Sequence, residues 1–410
     1  MKTKNNWLIM VALVVVLALG IIFYLKSREK MEEVKYQEKM TNYNIELLKK
    51  VQEKHPNSNY LISPYSIYMA LNMLRDGANG NTKEQINNLI GEYKIKNLNI
   101  KNQLSVANGL FIKNSEKDNV LSSYTNNLKN NYDADILYDD FDTPEVINTW
   151  VKEKTNGMIE KILDSVNKGF VLGLANAIAL DAKWKVAFDC TYTDGMPFTK
   201  SNGSKINTEM MYREFSAKGY HYFETTNAKG VIMPYESKDN NSLEFIGILP
   251  NDNVNNYIKS LTQEELNMID KVKKEASNNL HINIYLPRFT NTFDLNDFKD
   301  ILKELGIVDA FDAGLADFSN IMTNDNIYVS DAIHKTYIDL NESGTKAAAV
   351  TYFGLTKSAV ADVSQDIIDI KFDKPFVYMI RDVKTKEIIF VGTVDEPNTW
   401  KGTTCMEGGY

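Results

Sequence analysis

The side chains that do covalent or metal chemistry are scattered singly through this sequence. Its four histidines, His55, His221, His281 and His334, stand far apart and no HExxH pair occurs, which leaves no ligand set for a hydrolytic zinc ion. An S-x-x-K spacing, the mark of some serine acylases, lies at Ser27 to Lys30. It abuts an apolar run with no globular sequence around it and is read as coincidence. No G-x-G-x-x-G, no G-x-x-x-x-G-K-[ST] and no G-x-S-x-G is present, so phosphate loops and nucleophile elbows are missing too. The sequence predicts a protein that is not an enzyme, with no catalytic residue, no metal site and no cofactor.

A different kind of chemistry is offered by the segment NESGTKAAAVTYFGLTKSAVAD, Asn341 to Asp362. It joins two strand-like runs, Asn326 to Leu340 and Ile367 to Ile380, and long connections between embedded elements usually carry function. Alternate residues from Thr345 give Thr345, Ala347, Ala349, Thr351, Phe353 and Leu355 on one face, with Lys346, Ala348, Val350, Tyr352 and Gly354 on the other. The segment is therefore able to form a strand. Its first face begins small and ends large, so it could enter a gap between two strands before anything bulky had to pass.

"NESGTKAAAVT" resembles the hinge of the inhibitory serpins, with Glu342, Gly344, Thr345, Ala347, Ala348, Ala349 and Val350 in the family's places. Further stretches resemble serpin signatures and occur in serpin order. They are ISPYSIYMALNMLRDGANGNT, INTWVKEKTNGMI, LANAIALDAKW, DAFDAGLADFSNI, YVSDAIHKTYIDLNESGT and FDKPFVYMIRD, and the likeness extends over residues 36 to 398. The resemblance implies an α+β serpin fold, with three β-sheets, about nine helices and a reactive centre loop exposed to solvent, Thr345 included. It also implies an irreversible suicide-substrate inhibitor of serine-type endopeptidases, which traps the acyl-enzyme when the cleaved loop inserts into the main sheet. The alternative is a non-inhibitory serpin acting as a surface binding or chaperone-like protein, although such members carry bulky, charged or Pro residues in the hinge.

Residue by residue, the resemblance implies that Ser63, Ser66, Asn176 and His334 form the shutter where the sheet parts, Asn176 and His334 bonding to each other. Trp184 matches the breach residue at the top of the sheet. Leu180, Asp181 and Ala182 depart from the family's aromatic-Lys-Gly before Lys183. Counting from the hinge, the residue read by a protease is Ser358 and the scissile bond Ser358 to Ala359; Lys357, one position earlier, suits an acidic trypsin-like pocket. The implied partner is a serine protease, trypsin-like or elastase/subtilisin-like, or a cysteine protease, met by a monomer.

The chain has 410 residues and a net charge of -8 with both signs mixed, which gives no basic surface for nucleic acid. Cys190 and Cys405 are its two cysteines, too few for a disulfide framework, and a bridge between them is open but not expected. At the amino terminus Lys2 and Lys4 precede an apolar run from Trp7 to Leu25, about long enough to cross a ~30 Å hydrocarbon layer as a helix. Ile21, Ile22, Phe23, Tyr24 and Leu25 are bulky where a signal peptidase needs small residues. Residues 1–25 are therefore expected to be an uncleaved signal anchor, with a cleaved signal peptide as the alternative. Membrane contact through residues 7–25 would place a single domain, residues 36–398, at the cell surface or, after cleavage, in the extracellular medium. Residues 399–410 are read as a frayed tail.

Periodicity and punctuation place the remaining elements. A helix is expected over Lys35 to Lys54, and another after Ser63, which caps it ahead of Pro64. Thr82 is expected to cap the helix that follows. Pro144 to Val166 reads as an amphipathic helix, Ser260 to Val272 as a surface helix, and Asp294 to Leu305 as a further helix. Phe170 to Leu180 reads as a buried strand in which Asn176 needs polar partners. Phe376 to Arg381 and Ile388 to Val394 frame a closing hairpin.

Overall fold

Three strands in which every residue is buried give the fold its centre: β10 (Leu243–Pro250), β17 (Phe376–Asp382) and β18 (Ile388–Val394). Strands buried on both faces read as largely apolar runs, and these do, apart from Glu244 in β10, Arg381 and Asp382 at the end of β17 and Thr393 in β18. The computed structural model describes residues 2–92, 103–237, 242–322, 327–345 and 366–402, the side chains of residues 2–16 and 18 excepted.

In chain order the helices are α1 (Lys2–Lys54), α2 (Pro64–Gly77), α3 (Gly80–Ile90), α4 (Ser122–Tyr132), α5 (Glu145–Lys154), α6 (Val254–Ser260), α7 (Gln263–Val272) and α8 (Phe298–Glu304). The other strands are β1 (Tyr60–Ile62), β2 (Leu104–Lys113), β3 (Asp135–Asp139), β4 (Leu172–Leu180), β5 (Ala182–Lys183), β6 (Asp194–Thr199), β7 (Lys205–Phe215), β8 (His221–Glu224) and β9 (Ala228–Pro234). They continue with β11 (Lys274–Glu275), β12 (Leu280–Pro287), β13 (Phe289–Asp294), β14 (Lys335–Asn341), β15 (Gly344–Thr345) and β16 (Asp366–Lys371).

Hydrogen bonding groups these strands into four sheets, of orders β1-β18-β17-β10-β9-β8-β11, β16-β12-β7-β6, β13-β14-β15-β5 and β3-β2-β4. The last two are halves of one surface, because β4 and β5 follow one another with Asp181 between them. Three sheets were expected; the fourth appears because the main one is parted. At its upper end β15 bridges β14 to β5, whereas lower down β4 and residues 327–334 face each other across a cavity of about 410 Å³. Leu172 to Asn176 are accordingly only half-buried, since one flank of β4 has nothing to pack on.

Helix α2 lies under the parting, against β4 and β18. Ser63 caps it, its Oγ accepting from the Ser66 N–H at 3.2 Å, and Pro64 supplies the first turn, where a missing N–H costs nothing. The other expected caps and lengths fare less evenly. Asn79 takes the cap position of α3, while Thr82 lies inside that helix and its hydroxyl accepts from Asp317 N–H. The helix read from Pro144 to Val166 stops after Lys154, because Asn156 and Gly157 both take positive φ. The helix read from Ser260 to Val272 starts later, because Ser260 is the last residue of α6 and Thr262 caps a separate helix, α7.

The amino-terminal expectation is overturned. Among the described residues no helix is long and apolar enough to cross a membrane, so the anchor over residues 1–25, the membrane contact through residues 7–25 and the anchored cell-surface location fall together. The apolar residues do not form a unit of their own. α1 continues unbroken through Lys26, Arg28, Glu29, Lys30, Glu32 and Glu33, with Arg28 bonded to Glu32 at 3.1 Å. From Tyr36 onward it packs on the core through Met40, Tyr43, Leu47, Leu48 and Val51.

Candidate functional site

The upper end of the parted sheet is closed by the turn between β14 and β15. Glu342 and Ser343 reverse the chain, and Gly344 and Thr345 then pair antiparallel with Asn341 and Leu340 on one side and with Lys183 and Ala182 on the other. Only glycine fits at position 344. Its φ is +149°, and an added Cβ would stand 2.1 Å from the Ala182 carbonyl oxygen, far inside van der Waals contact.

Thr345 is 1% exposed, so the expectation that it lies in a solvent-exposed loop is overturned. A short β-branched residue fits a strand between two neighbours, and its hydroxyl shares a 2.7 Å hydrogen bond with the Tyr235 phenol. Burial raises that phenol above its ordinary pKa, with the Thr345 bond pulling the other way, so it stays protonated and able to donate. Trp184 stacks on Tyr235, ring centroids 4.5 Å apart and planes 7° from parallel. The indole N–H donates to the Asn341 carbonyl at 2.9 Å and the Trp184 backbone N–H to the Ser343 carbonyl at 2.9 Å.

Glu342 is buried and fully engaged. Arg288 grips it with Nη2 2.6 Å from Oε1 and Nε 2.7 Å from Oε2, the two-pronged geometry that guanidinium favours. The Thr193 hydroxyl donates to Oε1 as well, and the Phe188 N–H donates to the Glu342 carbonyl at 2.9 Å. A carboxylate taken out of water needs this set of partners.

At the lower end the polar residues gather at the start of α2. The Ser63 N–H donates to His334 Nε2 at 3.0 Å, and the Ser63 hydroxyl donates to the Ile389 carbonyl at 2.6 Å. Because Nε2 accepts, the ring is neutral with its proton on Nδ1. Burial holds the His334 pKa down to about 3, which agrees. The Ser66 hydroxyl donates to Asn176 Oδ1, and Asn176 Nδ2 passes the chain on to Asn108 Oδ1 at 2.7 Å. Asn176 and His334 therefore do not bond each other as expected. Each is held by a serine of α2, on opposite sides of the parting.

The sequence thus brought Ser63, Ser66, Asn176 and His334 to one place and Glu342, Gly344, Thr345 and Trp184 to another. It missed Arg288, Thr193 and Tyr235, whose partners lie 54, 149 and 110 positions away and leave no local pattern. Ala347, Ala348, Ala349, Val350, Lys357, Ser358 and Ala359 lie outside the described residues. Cys190 is disulfide-bonded, the outcome that the cysteine count left open, and Cys405 lies outside the described residues.

Comparison with known proteins agrees with this geometry. The family model described as "Serpin (serine protease inhibitor)" matches residues 38–397. The leukocyte elastase inhibitor of Xenopus tropicalis is 31% identical over 382 residues, covering 87% of this chain and 98% of that protein. Serpin B8 of Homo sapiens is 32% identical over 383 residues, covering 87% and 97%. The crystal structure of the thermophilic serpin tengpin in its native state superposes with a TM-score of 0.76 at 32% identity, covering 88% of this chain and 94% of that one. With a family match over most of its length and relatives above 30% identity, the chain belongs to the serpin family.

Proposed function

We propose that this serpin is an irreversible suicide-substrate inhibitor of serine-type endopeptidases, acting through insertion of its cleaved loop into the parted sheet. The observation that carries the reading is the two-residue strand Gly344–Thr345, seated between β14 and β5 above a lane that is unfilled farther down.

A serine protease attacks a loop carbonyl, releases the amine half and keeps the other half as an ester that water must clear. Once the chain is cut, the residues after Thr345 are free to follow it into the lane, and the small face Thr345, Ala347 and Ala349 lets them pass. Each inserted residue gains backbone partners on β4 and β14 in place of water. The attached protease is dragged with the strand, and a shift of ~1 Å in its catalytic groups costs about a hundredfold in rate. Deacylation then fails. In this reading Glu342, Gly344 and Thr345 are the hinge, followed by Ala347 to Val350. Trp184 is the breach residue, and Ser63, Ser66, Asn176 and His334 hold the lane open.

Trypsin-like and elastase-like proteases mixed with the full chain should each be tested for a complex that survives denaturant on a gel, with sequencing of the released carboxyl fragment. A fragment starting at Ser358 identifies Lys357 as the recognised residue; one starting at Ala359 identifies Ser358. Cleavage by both enzymes with no complex from either overturns the proposal.

A further inference from the structure

Four asparagines precede a glycine in this chain, Asn79, Asn108, Asn156 and Asn202. An Asn-Gly step carries a reaction of its own, because no Cβ shields the glycine nitrogen from the asparagine side-chain carbonyl. The reaction needs a free glycine N–H and an asparagine amide able to turn, and the fold provides these unequally.

Asn108 is buried on β2, its Nδ2 donating to the Tyr132 carbonyl at 2.7 Å and its Oδ1 accepting from Asn176 at 2.7 Å. Asn156 and Asn202 are exposed, but the Gly157 N–H donates to the Lys152 carbonyl at 2.8 Å and the Gly203 N–H to the Lys200 carbonyl at 2.9 Å. Asn202 Oδ1 also accepts from the Ser204 N–H at 2.9 Å and the Ser204 hydroxyl at 2.6 Å, which fixes its amide. Asn79 has none of these restraints. It is exposed, it stands just before α3, and its side chain caps nothing. Gly80 opens that helix, where the first N–H groups lack an acceptor within the helix, and among the described residues its N–H has no hydrogen-bond partner.

We propose that Asn79–Gly80 is a self-modifying step, which converts to aspartate and isoaspartate at position 79 in the folded chain well ahead of the other Asn-Gly steps. The Gly80 nitrogen gives up its proton and bonds to Asn79 Cγ. The Cγ–Nδ2 bond breaks, and ammonia leaves with that proton as a cyclic imide closes. Water then opens either carbonyl of the ring, giving aspartate on the original backbone or isoaspartate with one more methylene in it. The place gives the change a consequence. The Asn79 N–H donates to the Asp317 carbonyl at 2.9 Å, the Asn320 side chain to the Ala78 carbonyl at 2.9 Å, and the Asp317 N–H to the Thr82 hydroxyl at 3.0 Å. These bonds clamp the turn between α2 and α3 to residues 317–320, and Phe318 and Ile321 line the cavity under the parted sheet. Aspartate leaves the clamp in step. Isoaspartate lengthens the chain inside it and loosens that wall of the cavity.

Peptide mapping by mass spectrometry of the full chain, aged at neutral pH both folded and in urea, reads every step. In the folded chain Asn79 should convert about fivefold faster than Asn156 or Asn202, the lead of an amide with no hydrogen bond to release first. Asn108 should convert only as the chain unfolds, and in urea the rates should converge. Equal rates at Asn79, Asn156 and Asn202 in the folded chain, or an Asn79 that stays intact, overturn the proposal. So does a lead for Asn79 that persists in urea, since sequence rather than fold would then set it. Hydrogen exchange at the Asp317 N–H should be about threefold faster in the separated isoaspartate form than in the unreacted chain or in Asn79→Asp. Equal exchange in all three would show that the clamp does not depend on the backbone at position 79.

Discussion

The two ends of the parted sheet solve opposite problems with similar residue types. At the upper end Thr345, Glu342 and Trp184 are saturated with partners across the opening, so β14, β15 and β5 form one continuous ladder. At the lower end Ser66 and Asn176 bond on one side and Ser63 and His334 on the other, with no bond from Asn176 to His334. Each polar group is satisfied without closing the gap. A satisfied buried amide or imidazole has little reason to move, so the lower end can stay apart as a stable arrangement rather than a defect. The difference teaches where the free energy for insertion resides: in backbone groups flanking the lane, not in side chains.

The largest test of that contrast is to fill the lane. Nicking the loop and allowing insertion should add on the order of ten backbone hydrogen bonds, each about 1 kcal/mol, and raise the thermal midpoint by on the order of 10 °C. Melts of intact and cleaved protein would show it; coincident curves would mean that the lane does not accept a strand.

Breaking the upper end alone comes next. Arg288→Met leaves the Glu342 carboxylate buried beside Thr193 without its cation, a loss of about 3 kcal/mol, and should lower the midpoint of the intact protein by roughly 4 °C. An unchanged midpoint would show that the turn is not held by charge.

The lower end answers to pH instead. His334 is neutral in the folded chain down to about pH 3, whereas in the unfolded chain it takes a proton below about 6.5. Its contribution is complete above that value and is lost as pH falls, by about 1.4 kcal/mol per unit, or roughly 2 kcal/mol at pH 5. Melts between pH 7 and pH 5 should show the slope, and His334→Gln, whose amide oxygen can still accept from Ser63, should flatten it. Identical slopes would place the acid sensitivity elsewhere.

How much of this was legible depended on how local the cause was. Ser63 before Pro64 announced the start of α2, and the apolar runs Phe376 to Arg381 and Ile388 to Val394 on either side of a short polar turn announced their hairpin, because cap and pattern sit within a few residues of what they determine. Asn176 advertised a need for partners, and the partners proved to be Ser66 and Asn108 rather than His334. Arg288 advertised nothing. An arginine after a strand looks like any solvated arginine, and only the fold brings Glu342 to it. The amino-terminal apolar run misled for the same reason, since hydropathy alone did not reveal its unbroken continuation into a charged and then core-packed helix.

The smallest expected effect returns to the upper end. Thr345→Val keeps the shape of the side chain and removes its hydroxyl, leaving the Tyr235 phenol without its 2.7 Å partner, at a cost of about 1 kcal/mol. The midpoint should fall by roughly 1 °C; a rise would mean that the buried hydroxyl pair is a net burden.

Gly344 carries one more consequence. Its backbone lies against the Ala182 carbonyl with no room for a methyl group, and its φ lies where other residues are strained. In a saturation library selected for correctly folded, uncleaved protein, position 344 should return its wild-type codons and almost nothing else. Position 345, where Ser and Val approach the native shape, should return a short alphabet. Such a library would outline the seat of this two-residue strand from genotype counts alone, with no protease present.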